Sequence, residues 1–309
     1  MRVGVIDLGT NTFKLLIADI THEKVIKPLF HKELGVKLGQ GGIHEHYMTQ
    51  DAFQRGKSAF QQLHQIASDY PVDQFLTIAT SALRSSINGN LFVKDLENAF
   101  NVAVKVVSGD EEADLIYLGV KQTVEITEET ALIMDIGGGS IEFIIANDEK
   151  WLWKKSYDLG IARLLEWFHP SDPIRYVEIQ KIHEFLDNEL DHFLSIAHAY
   201  QPETLIGCAG TFQTYRQMLH ADYPLVYPLN DDHHSVKIHY HDFKNLHSKL
   251  LYSTSMEREK MDGLPSYRVE MIVLASIFVN FILDRLGIFH LYQSDYALKE
   301  GALNKFFIE

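Results

Sequence analysis

The strongest constraint on this chain is a segment that occurs twice, 128 residues apart (Asp7 against Asp135). The first copy runs from Val5 to Asp19, the second from Ile133 to Asn147. Asp7 falls on Asp135, Gly9 on Gly137, Thr12 on Ser140 and Ala18 on Ala146. Each copy reads as strand, aspartate, small-residue turn with a hydroxyl, strand. Solenoid units repeat at about 20–50 residues, so this spacing implies two similar domains instead. Each domain offers one loop to a shared cleft. In the second copy, Gly137-Gly138-Gly139 lets a backbone approach a bulky ligand closely. Exposed N–H groups in such a turn form a concavity that suits phosphate. Asp135 at its mouth would repel phosphate unless a cation such as Mg²⁺ stands between them. Neither copy has the Lys-Ser/Thr ending and following helix of a Walker loop.

A chain of 309 residues is long enough for two domains with their own cores. The expected division is 1–124 and 125–309, with the polar run Gln122 to Thr130 as linker and a last helix, about 296–309, packing back on the first domain. A net charge of −14 argues against sequence-independent nucleic-acid binding. No apolar run is long enough to span a bilayer, and Met1 leads straight into strand-like Arg2 to Ile6. The single cysteine, Cys208, rules out an intrachain disulfide. These features together point to the cytoplasm.

Taken in order, Val36 to Gly42 reads as a strand end and glycine turn, and Thr49 as the cap of a helix to about Ser68. Phe75 to Ala79 is a buried strand that delivers Thr80-Ser81-Ala82-Leu83-Arg84 at its carboxyl end, where open α/β sheets put ligands. Asn90 caps a helix to Phe100, and Val102 to Val107 is a strand. Ser108 and Glu111 have capping-box spacing and open a helix to about Val120. Trp151 to Ser156 is strand-like, and Asp172-Pro173 signals a helix running to about Tyr200. Thr204-Leu205-Ile206 feeds Gly207 to Thr211 and a helix from Phe212, a third anion-friendly turn. The pattern ends with a helix from Val269 to Leu286, a strand from Ile288 to Tyr292, and a last helix whose Tyr296, Phe306 and Phe307 belong to the core.

Glu112 lies in the first turn of the capped helix, and two roles are open for it. It either complements the helix dipole with Glu111 or acts as a general base, ionised because the helix N-terminus lowers its pKa. Cys208 is a small packed residue of its turn rather than a nucleophile. His44-Glu45-His46 and His239-Tyr240-His241 lack the spacing of common metal sites, and His233-His234 reads as solvated loop.

Asp7 to Thr12, Thr80 to Arg84, Ser108-Gly109-Asp110-Glu111-Glu112-Ala113, Asp135 to Glu142, and Gly207 to Thr211 occur in this order. Together they resemble the exopolyphosphatase/guanosine pentaphosphate phosphohydrolase (Ppx/GppA) family, of the actin/sugar kinase/Hsp70 fold group. The resemblance implies an α/β fold of two actin-like (ribonuclease H-like) domains with a cleft between them. It makes Glu112 the base that activates water and Arg84 the grip on substrate phosphate, both acting across the cleft from the glycine loop. Asp135, Glu142 and Asp7 would hold Mg²⁺. Gly9, Thr10, Asn11, Gly137, Gly138, Gly139, Ser140, Gly210 and Thr211 would cradle phosphates. The expected partner is polyphosphate or guanosine pentaphosphate, without nucleic acid or membrane, and a homodimer is an admissible assembly. The chain resembles a short form without the C-terminal helical domain of longer members. It departs from the family pattern at Lys37 and Lys299, where many members carry Arg, and at Glu270, where Asp is usual. Two other activities fit the same cleft: a non-catalytic sensor of polyphosphate or alarmone, and a phosphotransferase.

Overall fold

The computed structural model describes residues 1–229 and 234–308. The repeat reappears in it as two sheets of matching topology. The first contains β1 (Arg2–Leu8), β2 (Thr12–Ile20), β3 (Ile26–Gly35), β4 (Gln74–Ala79) and β5 (Val104–Val106), in the order β3-β2-β1-β4-β5. The second contains β6 (Ala131–Ile136), β7 (Ile141–Ala146), β8 (Trp151–Tyr157), β9 (Thr204–Cys208), β10 (Ser235–Ile238) and β11 (His290–Ser294), in the order β10-β11-β9-β6-β7-β8. Each begins as an antiparallel three-strand meander, and its first strand then pairs in parallel with a later one: β1 with β4, β6 with β9.

Helices cover both sheets. They are α1 (Gln50–Ser68), α2 (Ser81–Ser85), α3 (Gly89–Phe100), α4 (Gly109–Val120), α5 (Ile161–Phe168), α6 (Tyr176–Glu189), α7 (Asp191–Tyr200), α8 (Ala209–Asp222), α9 (Tyr240–Tyr252), α10 (Ser255–Arg258), α11 (Ile272–Leu286) and α12 (Leu298–Phe307). Every residue of β6 and β7 is buried, because helices lie on both faces. Side chains alternate across a strand. Leu132, Met134, Phe143 and Ile145 therefore share a cluster with Phe278 of α11. Ile133, Ile144 and Ala146 instead join Ala113, Ile116 and Val120 of α4. In the first sheet, Ile6, Leu8 and Leu15 pack with α1, while Val3, Val5, Leu16 and Ala18 pack with Leu303 of α12.

The helices that end the two halves are thus exchanged. α4 follows the first sheet in sequence but packs on β6, β7 and β8, and α12 follows the second sheet but packs on β1 and β3. They meet each other through Gly119 and Gly301. A Cβ on Gly119 would collide with the carbonyl of Ala297, and one on Gly301 with the carbonyl of Leu115. Leu303 is fully buried in this seam, and its truncation to Ala would cost about 3 kcal/mol.

Several elements differ from their sequence reading. The segment after Asp172-Pro173 is not one helix. Arg258 and the Ser255 N–H both bond the Asp172 carboxylate, α6 begins only at Tyr176, and the chain turns at Leu190 before α7. Asn90 does not cap α3. Asn88 precedes that helix, and its amide instead bonds both the N–H and carbonyl of Met48. Val102 to Val107 contributes only the short β5. Phe306 is 38% exposed beneath Lys105, outside the core, whereas Tyr296 is buried. Strands β3 and β10 and helix α9 were not named in the sequence reading, although Phe243, Leu246 and Leu250 of α9 share one buried face. His233 lies outside the described residues, and His234 stacks on Tyr296 at 4.7 Å. No helix among the described residues is long and apolar enough to cross a membrane.

Candidate active site

Alternation decides which side chains reach the cleft. Asp135 continues the α4-facing row of β6, and its register partner Glu142 does the same on β7. Glu142 in turn pairs with Ser156 on β8, whose hydroxyl donates to its Oε1 at 2.7 Å. The first turn of α4 closes over this row and brings Glu112 to it. The capping box predicted there is present: Ser108 Oγ accepts from Glu111 N at 3.1 Å, and Ser108 N donates to Glu111 Oε2 at 3.0 Å. Glu112 is left free of the cap and turns inward, 7% exposed. Because α4 lies on the second sheet, Glu112 stands beside Asp135 and Glu142, not across the cleft from them as the sequence suggested.

The same logic fills the first jaw. Asp7, Lys14 and Glu33 are register partners across β1, β2 and β3. Asp7 and Lys14 line the cleft together with Lys299 from the first turn of α12.

The two glycine turns are built alike. Gly9 N donates to Thr12 O at 3.1 Å, and Gly137 N to Ser140 O at 3.0 Å. Both loops are tied from behind by their carbonyls. Val36 N and Lys37 N reach Asn11 O, and Leu38 N reaches Thr10 O, at 2.7–3.0 Å. Ile161 N and Ala162 N, at the start of α5, reach Gly137 O and Gly138 O at 3.0 and 2.9 Å. Arg163 holds Gly139 O at 2.9 Å and the first domain's Ile43 O at 3.1 Å. Among the described residues the N–H groups of Thr10, Asn11, Gly138 and Gly139 have no backbone acceptor. Loops with fixed carbonyls and unspent N–H groups are anion cradles. The loops also touch: a Cβ on Gly138 would strike the Asn11 amide, and one on Gly139 would lie 2.5 Å from Thr10 Oγ1.

Among the described residues, four buried polar atoms at this junction lack a partner: Asp7 Oδ1, Thr10 Oγ1, Asn11 Oδ1 and Ser81 Oγ. Such atoms are costly unless a ligand or water engages them. Burial pushes Asp7 up and Asp135 up to about 6, Asp7 adding to the shift of Asp135. Burial, then Glu112 and Asp135, push Glu142 well above the usual range. Glu112 rises to about 7 through burial, although Arg84 opposes the shift. This reverses the lowering expected from the helix N-terminus: loss of solvent outweighs the dipole once α4 is packed down. Burial works against Lys14, yet Glu33 and Asp7 hold its pKa above the usual value.

Arg84 does not line the cleft. Its Nη1 donates to Glu112 Oε2 at 2.8 Å and to Val107 O at 3.1 Å, so it orients Glu112 from the side. Thr211 Oγ1 donates to Ile136 O at 3.3 Å, and Gly210 seats the guanidinium of Arg268, which a Cβ would displace. Arg268 reaches Thr214 Oγ1 at 2.8 Å and Glu33 Oε1 at 2.6 Å, linking the domains. A second link, Lys37 to Glu270 at 2.9 Å, joins two of the departures from the family pattern. Cys208 is fully buried and burial raises its thiol pKa, which disfavours the thiolate a nucleophilic cysteine needs.

Sequence reasoning missed Lys14, Glu33 and Arg268. For Lys14 the signal was present in the repeat, since the same offset places it on Glu142.

Among the described residues no group of three or more His, Cys, Asp or Glu is placed to hold a metal ion by itself. The His44 and His239 segments form none; His44 instead stacks on Trp167 at 4.9 Å. Mg²⁺ needs only one or two carboxylates beside phosphate and water oxygens. Asp7, with its unpartnered Oδ1, and Asp135, which lines the same cleft, offer the carboxylate oxygens that one or two such contacts would need.

Two meander-and-parallel sheets, exchanged helices and paired glycine hairpins over an anion-ready cleft define a two-domain α/β protein of the actin-like class. The chain belongs to the Ppx/GppA phosphatase family, whose pattern matches residues 16–306. It is 24% identical over 306 residues to exopolyphosphatase 1 of Mycobacterium tuberculosis, covering 98% of this chain and 87% of that protein. A crystal structure of an exopolyphosphatase from Cytophaga hutchinsonii superposes with a TM-score of 0.94 at 35% identity, covering 99% of this chain and 97% of that one. The Aquifex aeolicus member of the family shares the fold, with a TM-score of 0.78 at 23% identity over 99% of this chain and 97% of that one.

Proposed function

We propose that this member removes the terminal phosphate of inorganic polyphosphate by attack of water, with Mg²⁺ as cofactor, in the cytoplasm. The observation that carries the reading is the junction of the two hairpins. Unspent N–H groups and unpartnered Asp7, Thr10, Asn11 and Ser81 atoms surround a cleft that also holds Glu112, Asp135 and Glu142. The cradle N–H groups bind and orient the terminal phosphate. Glu112, oriented by Arg84, takes a proton from the attacking water. A buried carboxylate with pKa near 7 is well matched to that task at neutral pH. Asp7, Asp135 and Glu142 are the residues that would hold Mg²⁺, which would supply charge compensation to the phosphate oxygens. Arg163 and the start of α5 keep the second cradle fixed, so little reorganisation accompanies the reaction. The names of its relatives favour polyphosphate over guanosine pentaphosphate, which presents the same terminal phosphoanhydride.

The test is release of orthophosphate from linear polyphosphate and from guanosine pentaphosphate, with Mg²⁺ and with EDTA. Glu112→Gln should reduce release by about 10³-fold. Undiminished release would remove Glu112 as the base, micromolar binding without release would favour a sensor, and transfer to ADP would make the protein a phosphotransferase.

A further inference from the structure

α4 is shared between the two domains. It follows β5 of the first sheet, yet it packs on β6, β7 and β8 of the second. Glu112 therefore stays beside Asp135 and Glu142 only while the first turns of α4 stay on the second sheet. The first domain has its own ties to this end of the helix. Arg84 Nη1 reaches Glu112 Oε2 and Val107 O, and Lys105 Nζ lies 3.5 Å from Glu111 Oε1. The hold from the second domain comes from β8. Ser156 and Lys154 share one face of that strand, as register partners of Glu142 and Ile144. Gly109 rests on Ser156, where a Cβ would lie 2.6 Å from the serine Cβ. Lys154 Nζ donates to Asp110 O at 2.9 Å and meets Asp114 Oδ1 at 2.5 Å. Its side chain is 11% exposed, with the ammonium 4.8 Å from the Trp151 ring centre. Lys154 thus grips α4 two positions before and two positions after Glu112. Among the described residues, no other side-chain hydrogen bond or ion pair joins the first two turns of α4 to the second domain. A cation near a helix N-terminus opposes the macrodipole, so helix stability alone is a poor account of this lysine.

We propose that Lys154 is a positioning residue for Glu112: by pinning the first turns of α4 to β8, it holds the Glu112 carboxylate beside Asp135 and Glu142. This rests on the phosphohydrolase reading above. Lys154 does not line the cleft, so it acts through α4 and not on substrate. Phosphate is held by the hairpin loops, which Lys154 does not touch. A shift of a catalytic group by a fraction of its reach costs rate far more than it costs binding. Loosening α4 should therefore slow turnover and leave substrate affinity nearly unchanged.

Lys154→Met keeps the stem and removes the ammonium, and Lys154→Arg restores a cation. Asp114 is 30% exposed, so water can take over its oxygen and both variants should fold, checked by circular dichroism and thermal midpoint. Should Lys154→Met fail to fold, Lys154→Gln keeps a donor for Asp110 O and is read in the same way, with a smaller loss expected. With tripolyphosphate as substrate, Lys154→Met should lower kcat about tenfold and leave KM within about twofold of the parent, and Lys154→Arg should recover most of the loss. In the Glu112→Gln background the same substitution should cost less than about twofold, because no base remains for it to position. Amide hydrogen exchange at 109–113 should quicken about tenfold, with the last turns of α4 unchanged. An equal loss in the parent and in the Glu112→Gln background would overturn the proposal, and so would a loss carried by KM or unchanged exchange at 109–113. If the parent releases no phosphate, the hydrolase reading fails, while amide exchange still decides whether Lys154 pins α4.

Discussion

The two hairpins are the same object built twice and then charged differently. Backbone geometry is shared down to the Gly9–Thr12 and Gly137–Ser140 hydrogen bonds, 3.1 and 3.0 Å. Both loops have their carbonyls tied back and their N–H groups left toward the cleft. The cross-strand rows that follow are not equivalent. The first jaw reads Asp7, Lys14, Glu33, and the second reads Asp135, Glu142, Ser156. A cation in one jaw stands where a carboxylate stands in the other. The comparison separates the backbone that the two jaws share from the side chains in which they differ. Backbone repeated in both jaws suits a task common to both, the holding of phosphate. Side chains that break the symmetry give the two jaws unlike charge, a lysine in one where the other has a glutamate.

Copying the first jaw onto the second should have the largest effect. Glu142→Lys puts a cation at both positions, and phosphate release should fall about 10⁴-fold, the upper end of the loss expected for one general base. Activity within tenfold of the parent would mean that the asymmetry between the jaws is incidental. Next is Asp135→Asn, expected to lower release about 10²–10³-fold while raising the thermal midpoint of the metal-free protein. The sign follows from linkage. The folded pKa of about 6 lies above the usual 3.8, so the folded state holds the proton more tightly. The stability this contributes is present below about pH 4 and is lost as pH rises through about 6. At pH 8 the asparagine variant escapes that loss, by on the order of 5 °C, and an unchanged or lower midpoint would contradict the burial account.

A smaller effect comes from pH alone. With Glu112 at about 7, kcat/KM should climb about tenfold per pH unit below that value and level off above it. A profile flat from pH 5 to 8 would argue against Glu112 as base. The smallest effect belongs to Ser156→Ala, which deletes the hydroxyl bonded to Glu142. A loss of about three- to tenfold is expected, since one hydrogen bond is worth roughly 0.5–1.5 kcal/mol. A hundredfold loss would show that Ser156 touches substrate itself.

Much of this was legible in the residues. The repeat announced the two sheets, the capping box placed the start of α4, and the apolar runs marked β6 and β7. The loop residues Gly9 to Asn11 and Gly137 to Ser140 meet as expected. Other features were hidden for physical reasons. β3 is half exposed and carries Pro28, so no clean alternation marks it. The break at Leu190 lies inside a continuous helical pattern. Arg84 was expected to grip substrate, and its Nη1 bond to Glu112 was not legible in the sequence. Phe306 looked like core because composition cannot tell an exposed last-turn aromatic from a buried one.

By itself the sequence determined that there are two similar halves, that each carries an aspartate before a tight small-residue loop, and that a glutamate opens a capped helix. These follow from local rules: side-chain period, glycine tolerance and capping. Only the tertiary structure decided that α4 and α12 change places. That exchange sets Glu112 beside Asp135 and Glu142, removes it from water and raises its pKa against the pull of its own helix. It also turns Lys14 and Lys299 into one end of a polarised cleft. Local rules fix which atoms a strand or helix presents, whereas desolvation and charge depend on what packs over them from far along the chain.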